Sequence, residues 1–373
     1  MTSNKINISN IDENSGILTF TLSNINVSYA NALRRVLLSD IPLVVFKTQP
    51  YSENKVNILI NKTRMNNELL KQRLSCIPIH IEDIDNFPIE DYQVELDVKN
   101  DTNSMIYITS EDFKIKNIQT NTYLKDSEVK TIFPPDQITR EYIDIMRLRP
   151  KISDTVESEQ LKLVATFAIS NAGHDGAYNV VSTCAYGNTL DPIKIDENWN
   201  IKEASLKEKY SKEEIEFAKK DWMLLDSKRY FVDDSFDFII ESIGIYTNFK
   251  LIEMACLIII KKLYVFLESI KNNSSLIYDA IDTLENCYII TIENEDYTIG
   301  KIIEYYLYNN LFIQKKDINY VGFLKKHPHD KNSIIKISYK MQTSKDEIIT
   351  ILEEAVNESI MLLNQIAKYF NND

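Results

Sequence analysis

Apolar and polar positions alternate over residues 16–22, with Leu18, Phe20 and Leu22 on one face and Thr19 and Thr21 on the other. That period of two predicts a half-buried strand. The period then lengthens. Tyr29, Leu33, Val36 and Leu37 fall at helical spacing, Ser28 is placed to cap the start, and Pro42 stops the run soon after Asp40. Arg34 and Arg35 stand side by side just off the apolar stripe. Taken alone, this is an amphipathic helix lying on a sheet with two arginines in solvent.

The pattern continues through short strands at 56–60, 92–98 and 105–109 and a helix at 66–75 with Leu69, Leu70 and Leu74 as its apolar face. Residues 116–158 are polar and punctuated by Pro134, Pro135 and Pro150, which predicts loops mixed with short strands. Strand-like alternation returns at 161–169 and 180–186, and a charged helix is expected over 203–221, with a capping box from Ser211 to Glu214. Phe236, Phe238 and Ile240 mark another strand, and residues 250–271 form a long helix too apolar to stand in water.

After a linker candidate at 272–275 the order restarts: a strand at 288–292, a helix from about 296 to 309, a strand at 334–339 and a last helix opened by a capping box from Ser344 to Glu347. Ile349, Leu352, Val356, Leu363, Ile366 and Phe370 recur on that helix at steps of three and four, broken once at Ser359. Such a seam requires a partner helix. The chain therefore carries a weak internal repeat of topology, each half leaving a long apolar helix that the other could cover.

Composition narrows the function. The 373 residues allow two or three domains, and 44% hydrophobic with 26% charged residues is ordinary for a globular protein. The formal net charge of -13, without a long Lys/Arg block, argues against strong direct binding of DNA or RNA. The four cysteines lie at least 31 residues apart, so Cys-x-x-Cys spacing for zinc or an iron–sulfur cluster is absent and a reducing compartment is expected. The N-terminus is polar, which predicts no signal peptide. The most apolar run, 254–260, falls short of the ~20 residues that span a bilayer, so no membrane association is expected.

Candidate chemistry is thin. His327, Pro328 and His329 sit in a turn without a fixed third ligand. The adjacent pairs Asp233, Asp234 and Glu353, Glu354 point in different directions and make poor acid–base partners. No phosphate-binding glycine loop, serine elbow or His-Glu-x-x-His motif occurs.

The wording of particular stretches says more. Ser28-Tyr-Ala-Asn-Ala-Leu-Arg-Arg-Val-Leu-Leu-Ser-Asp-Ile-Pro42, Asn66-Asn-Glu-Leu-Leu-Lys-Gln-Arg-Leu-Ser-Cys-Ile-Pro78, Ile108-Thr-Ser-Glu-Asp-Phe113 and Phe236-Asp-Phe-Ile-Ile-Glu-Ser-Ile-Gly244 resemble the third-largest subunit of eukaryotic-type DNA-directed RNA polymerase, an alpha-like assembly subunit. Residues 165–186 match more loosely. Glu295-Asp-Tyr-Thr-Ile-Gly300, Val321-Gly-Phe-Leu-Lys-Lys-His-Pro328 and Ile334-Ile-Lys-Ile-Ser338, with the last helix, resemble the small eleventh subunit that pairs with it. The order in the chain implies a covalent fusion of a normally two-chain heterodimer. A short linker makes the pairing intramolecular, at an effective concentration on the order of millimolar.

The resemblance implies an α+β fold. A discontinuous first dimerisation domain (1–47 and 229–272) carries an inserted β-rich domain (48–228); a linker region (273–287) leads to a second dimerisation domain (288–373). It implies a non-catalytic assembly platform that docks the largest and second-largest polymerase subunits together with small subunits and meets nucleic acid only through the holoenzyme. Asn31, Arg34, Arg35 and Arg73 are the expected large-subunit interface, the arginines suiting bidentate pairing. Leu33, Leu37, Ile259, Leu263, Ile349, Leu352, Val356, Leu363 and Ile366 are the expected seam between the halves.

If Ala30 aligns with Gly300, Glu304 and Tyr305 replace the arginine pair in the second half, leaving the two faces chemically distinct. Many relatives carry a cysteine loop for a metal in the insert. Residues 82–92 have no cysteine, so neither metal nor cofactor is expected. The fusion, with an AT-rich bias towards Asn, Ile, Lys and Tyr, points to a large cytoplasmic DNA virus, hence to the host cytoplasm and the virion. The competing readings are a stand-alone regulatory adaptor that keeps the fold outside polymerase, and an enzyme with an unrecognised carboxylate site.

Overall fold

The computed structural model describes residues 5–153, 155–280 and 284–371. The fold is α+β and forms two compact units. The first takes the chain up to Leu37, then Thr183–Glu241 and everything from Asn248 on; the second takes Leu38–Ser182 and Ser242–Thr247.

In the first unit, strand Asn7–Asn14 turns through Ser15 and Gly16, both at positive φ, into the antiparallel strand Ile17–Ser23. Two such residues are what a tight hairpin turn requires. Ile17–Ser23 pairs next with Phe231–Ser242, and Val181–Leu190 completes the sheet. Leu18, Phe20 and Leu22 are buried opposite Phe236, Phe238 and Ile240, and the Phe20 and Phe238 rings stack at 5.0 Å. The second half repeats this plan. Ile277–Asp279, Cys287–Ile292, Ser333–Tyr339 and Ile318–Leu324 form a four-stranded antiparallel sheet, with the helix Tyr297–Leu307 between its second and third strands in the sequence.

Each half ends in a long helix, Asn248–Asn272 and Lys345–Phe370, and the two pack on each other. They run antiparallel. The Phe249 ring lies 5.6 Å from that of Phe370 at one end, and Lys271 Nζ lies 2.7 Å from Glu353 at the other. Leu33, Leu37, Ile259, Leu263, Leu352, Val356, Leu363 and Ile366 are each no more than 1% exposed. Burying one such side chain contributes about 1.5–3 kcal/mol, so these residues are a substantial part of the unit's hydrophobic stabilisation. Ile349 is the exception among the expected seam residues. It is half-buried, and Ile348 occupies the seam at 1% exposure. The helix starts at its Ser344 cap, and continuing back from Leu352 by one turn selects 348 rather than 349.

The domain boundaries differ from those expected. Residues 183–228 belong to the first unit, not to the insert, because Val181–Leu190 joins its sheet. The expected single helix over 203–221 is two helices, Pro192–Lys207 and Lys212–Leu224, closed around Trp199 and Trp222 with rings 5.5 Å apart. The Ser211 capping box begins the second of them. Residues 38–47 lie in the second unit, where Val44 and Phe46 enter its core. Part of the expected linker is strand: Ile277–Asp279 already pairs with Cys287–Ile292. Residues 281–283 of that linker lie outside the described residues.

The second unit centres on a five-stranded sheet ordered Val56–Asn61, Gln160–Thr166, Tyr92–Lys99, Lys114–Asn117, Thr122–Tyr123. Phe46, Phe113, Phe133 and Phe167 cluster in its core. The helix Asn67–Ser75 is capped by Asn66, whose side chain accepts from the Leu69 amide.

Candidate partner interface on the first helix

The helix Val27–Ser39 begins two residues earlier than a Ser28 cap implies. Asn26 is its cap, with a side-chain oxygen accepting from the Ser28 amide at 2.9 Å. Tyr29, Ala30, Ala32, Leu33, Val36 and Leu37 are buried. That stripe fixes the rotation of the helix and therefore where each polar neighbour points.

Asn31 and Arg34 lie one turn apart and act together. Arg34 donates from both Nε (3.1 Å) and Nη2 (2.9 Å) to Asn31 Oδ1. Among the described residues Arg34 has no carboxylate partner, so its charge is presented rather than neutralised. Behind it, the Cys184 thiol contacts the Arg34 carbonyl at 3.9 Å, and burial pushes that thiol up to about 12, keeping it protonated. Val27, Ser28 and Asn31 line one side of a pocket of about 380 Å³, opposite Lys301, Glu304 and Tyr308 of the second half.

Arg35 is not placed for the same task. Its guanidinium forms an ion pair with Asp296 and donates from Nε to Thr298 Oγ1 at 2.9 Å, tying the first half to the second. Asp296 is also the cap of the Tyr297–Leu307 helix, accepting from the Thr298 amide at 3.0 Å. Burial opposes ionisation of Asp296, but the Thr298 amide, the Arg35 charge and the Thr298 hydroxyl outweigh it and hold the carboxyl below its usual range. The expectation that Arg35 stands with Arg34 as a free docking pair is therefore corrected: adjacent helix positions point about 100° apart, and only Arg34 keeps the outer edge. Arg73 lies in the second unit, on the Asn67–Ser75 helix, and donates to the Asp144 carbonyl at 3.0 Å.

The second half offers no arginine pair. Glu304 is bonded to Lys301 at 2.5 Å and accepts from the Phe323 amide at 2.9 Å, and the Tyr305 ring meets Tyr29 edge-on at 6.3 Å. Asp296 and Thr298 are polar contributors to the joint between halves that periodicity missed, as are Lys262 and Glu295, whose charged groups lie 3.2 Å apart. The Asp296-Tyr-Thr298 spacing signals a helix cap, but nothing local in it signals a partner 261 residues away.

Elsewhere, His327 Nδ1 accepts from the His329 amide at 3.2 Å within the turn. Among the described residues no group of three or more His, Cys, Asp or Glu is arranged to hold a metal ion, and no helix is long and apolar enough to cross a membrane.

Comparison with known proteins agrees with the repeat. A family model described as the RNA polymerase Rpb3/Rpb11 dimerisation domain matches residues 19–263, and a second model of the same description matches residues 287–368. The chain is 39% identical over 83 residues to DNA-directed RNA polymerase II subunit RPB3 of Schizosaccharomyces pombe, covering 22% of this chain and 25% of that protein. It is 29% identical over 94 residues to DNA-directed RNA polymerase subunit Rpo3 of Thermococcus kodakarensis (24% of this chain, 34% of the relative) and 24% identical over 123 residues to Rpo3 of Pyrococcus furiosus (31% and 44%). The matched stretches thus span between a quarter and less than half of these relatives.

Proposed function

This chain belongs to the RNA polymerase Rpb3/Rpb11 dimerisation-domain family, and from that premise we propose that it is the assembly platform of a multisubunit DNA-directed RNA polymerase. In this reading one chain supplies both alpha-like halves, pairs them in cis and docks the largest and second-largest subunits, with small subunits joining later. The chain contributes no catalytic group; nucleotidyl transfer belongs to the large subunits, and nucleic acid is reached through them. The large DNA virus implied by the fusion and the residue bias, with its cytoplasmic and virion locations, is part of the same reading.

The observation that carries it is the pairing itself. Both family matches lie in one chain, and their long helices close on each other within one compact unit. A regulatory adaptor would need no such second half. Arg34, held by Asn31 and without a carboxylate partner, is the proposed anchor for the second-largest subunit, since arginine is enriched at interface anchors.

Coexpression of the tagged chain with the two large subunits tests this. The parent should recover both in fixed ratio. Arg34→Glu should lose the second-largest subunit, because reversing an interfacial charge costs at least the about 2–5 kcal/mol of truncating one. Full recovery by a folded Arg34→Glu chain would remove Arg34 from the interface, and failure of the parent to recover either large subunit would sink the platform reading.

A further inference from the structure

A second concavity, a groove of about 920 Å³, opens in the first unit and shares only Tyr305 with the pocket beside Asn31. One wall is the final helix, which presents Glu354, Asn357, Glu358, Met361 and Gln365 along one face. These residues span three turns, about 16 Å. The opposite wall is the π-helical stretch Tyr308–Lys315 with the tyrosines just before it. A π-helix is rare and recurs at functional sites, because it rotates side chains out of the α-helical register.

Asn310 lies on that stretch and is 7% exposed. Its Nδ2 donates to the Tyr306 hydroxyl at 2.8 Å, but its Oδ1 is buried and accepts nothing. An unmet buried acceptor is destabilising, and Asn310 is one of the residues that line the groove, so a donor entering there would relieve it. The charged groups on the walls are Asp234, Glu354 and Glu358 against Lys5 and Lys315. Burial pushes the Tyr29, Tyr305 and Tyr306 phenols up, and Glu358 pushes all three the same way, so its carboxylate lies beside three neutral rings. A groove lined by both carboxylates and tyrosine rings suits a guanidinium or ammonium group. Asn309, Asn357, Gln314 and Gln365 each offer a donor and an acceptor, which a peptide backbone can match in full, whereas a polyamine, with donors only, leaves their NH2 groups unused.

We propose that this groove binds an extended basic peptide segment of a partner protein, with an arginine or lysine against Glu358 and Glu354 and an N–H donating to Asn310 Oδ1. At roughly 3.3 Å per residue, the wall accommodates about five residues. The site goes beyond the docking surface at Arg34 and does not depend on it.

Fluorescence anisotropy with the full chain and a fluorescein-labelled pentapeptide carrying two arginines tests the site. Saturable binding with a Kd below about 1 mM is expected. The same peptide with citrulline for arginine should bind at least about tenfold weaker, a loss of roughly 1.4 kcal/mol. Glu358→Gln should weaken arginine-peptide binding by a similar factor. Glu358 is exposed, and circular dichroism checks that the variant folds. No saturation at 1 mM, or unchanged binding by a folded Glu358→Gln chain, would overturn the proposal. Displacement by spermidine at lower concentration than by unlabelled peptide would overturn the peptide in favour of a polyamine.

Discussion

The Tyr29 hydroxyl lies 3.0 Å from Ser359 Oγ, joining the first helix of one half to the last helix of the other. Ser359 is fully buried, and its Oγ also lies 2.7 Å from the Ala355 carbonyl, which can only accept. Its single hydrogen is therefore committed, and Tyr29 must be the donor across the joint. Burial raises the Tyr29 phenol far above its usual range, so it keeps that proton. What reads as a break in the apolar seam is a polar pin that selects one register. Ser359→Ala should cost about 1–3 kcal/mol by orphaning the Tyr29 hydroxyl. Adding Tyr29→Phe should cost less than the two single changes summed. Chemical unfolding of the four chains measures this; strict additivity would show that the two groups do not interact.

The seam itself is continuously buried. Leu352→Asp or Leu363→Asp would place a carboxylate where exposure is zero, at a cost of several kcal/mol. Ile349→Asp, one position from the seam residue Ile348, should cost far less. Thermal melts should rank the three variants in that order. Equal melting of Leu352→Asp and Ile349→Asp would mean the helix is rotated from the phase described.

Arg35 and Arg34 should separate in their effects. Arg35→Ala should lower stability by roughly 1 kcal/mol, the ion pair being about one-third exposed, and leave large-subunit recovery unchanged. Arg34→Glu should do the reverse. Loss of recovery by a folded Arg35→Ala chain would return Arg35 to the docking surface.

Asp296 gives the joint a pH dependence. Its folded-state carboxyl is held below the usual range, so the unfolded chain binds the proton more readily. The contribution is fully present above the unfolded value of about 4 and is lost as pH falls through the lower folded value. Asp296→Asn should therefore flatten the fall of stability below about pH 4 relative to the parent. Parallel profiles for the two chains would show that Asp296 titrates as it does when unfolded.

Much of the architecture was legible because it is local. Alternation gave the strands around Phe20 and Phe238, and the capping boxes at Ser211 and Ser344 begin helices at those residues. What the local pattern does not determine depends on distant partners. The strand Val181–Leu190 reads as part of the insert until its place in the first sheet is seen. Arg34 and Arg35 are indistinguishable as letters; Asp296, far along the chain, separates them. The phase error at Ile349 has another origin: two adjacent isoleucines satisfy helical spacing almost equally, and only the packed partner chooses.

The central claim is that one chain does the work of an alpha-like pair, and copy number tests it most directly. Native mass spectrometry of the polymerase purified through this chain should give a single copy of it beside one largest and one second-largest subunit, with no separate alpha-like chain. Two copies, or one copy accompanied by a distinct small alpha-like subunit, would contradict the account.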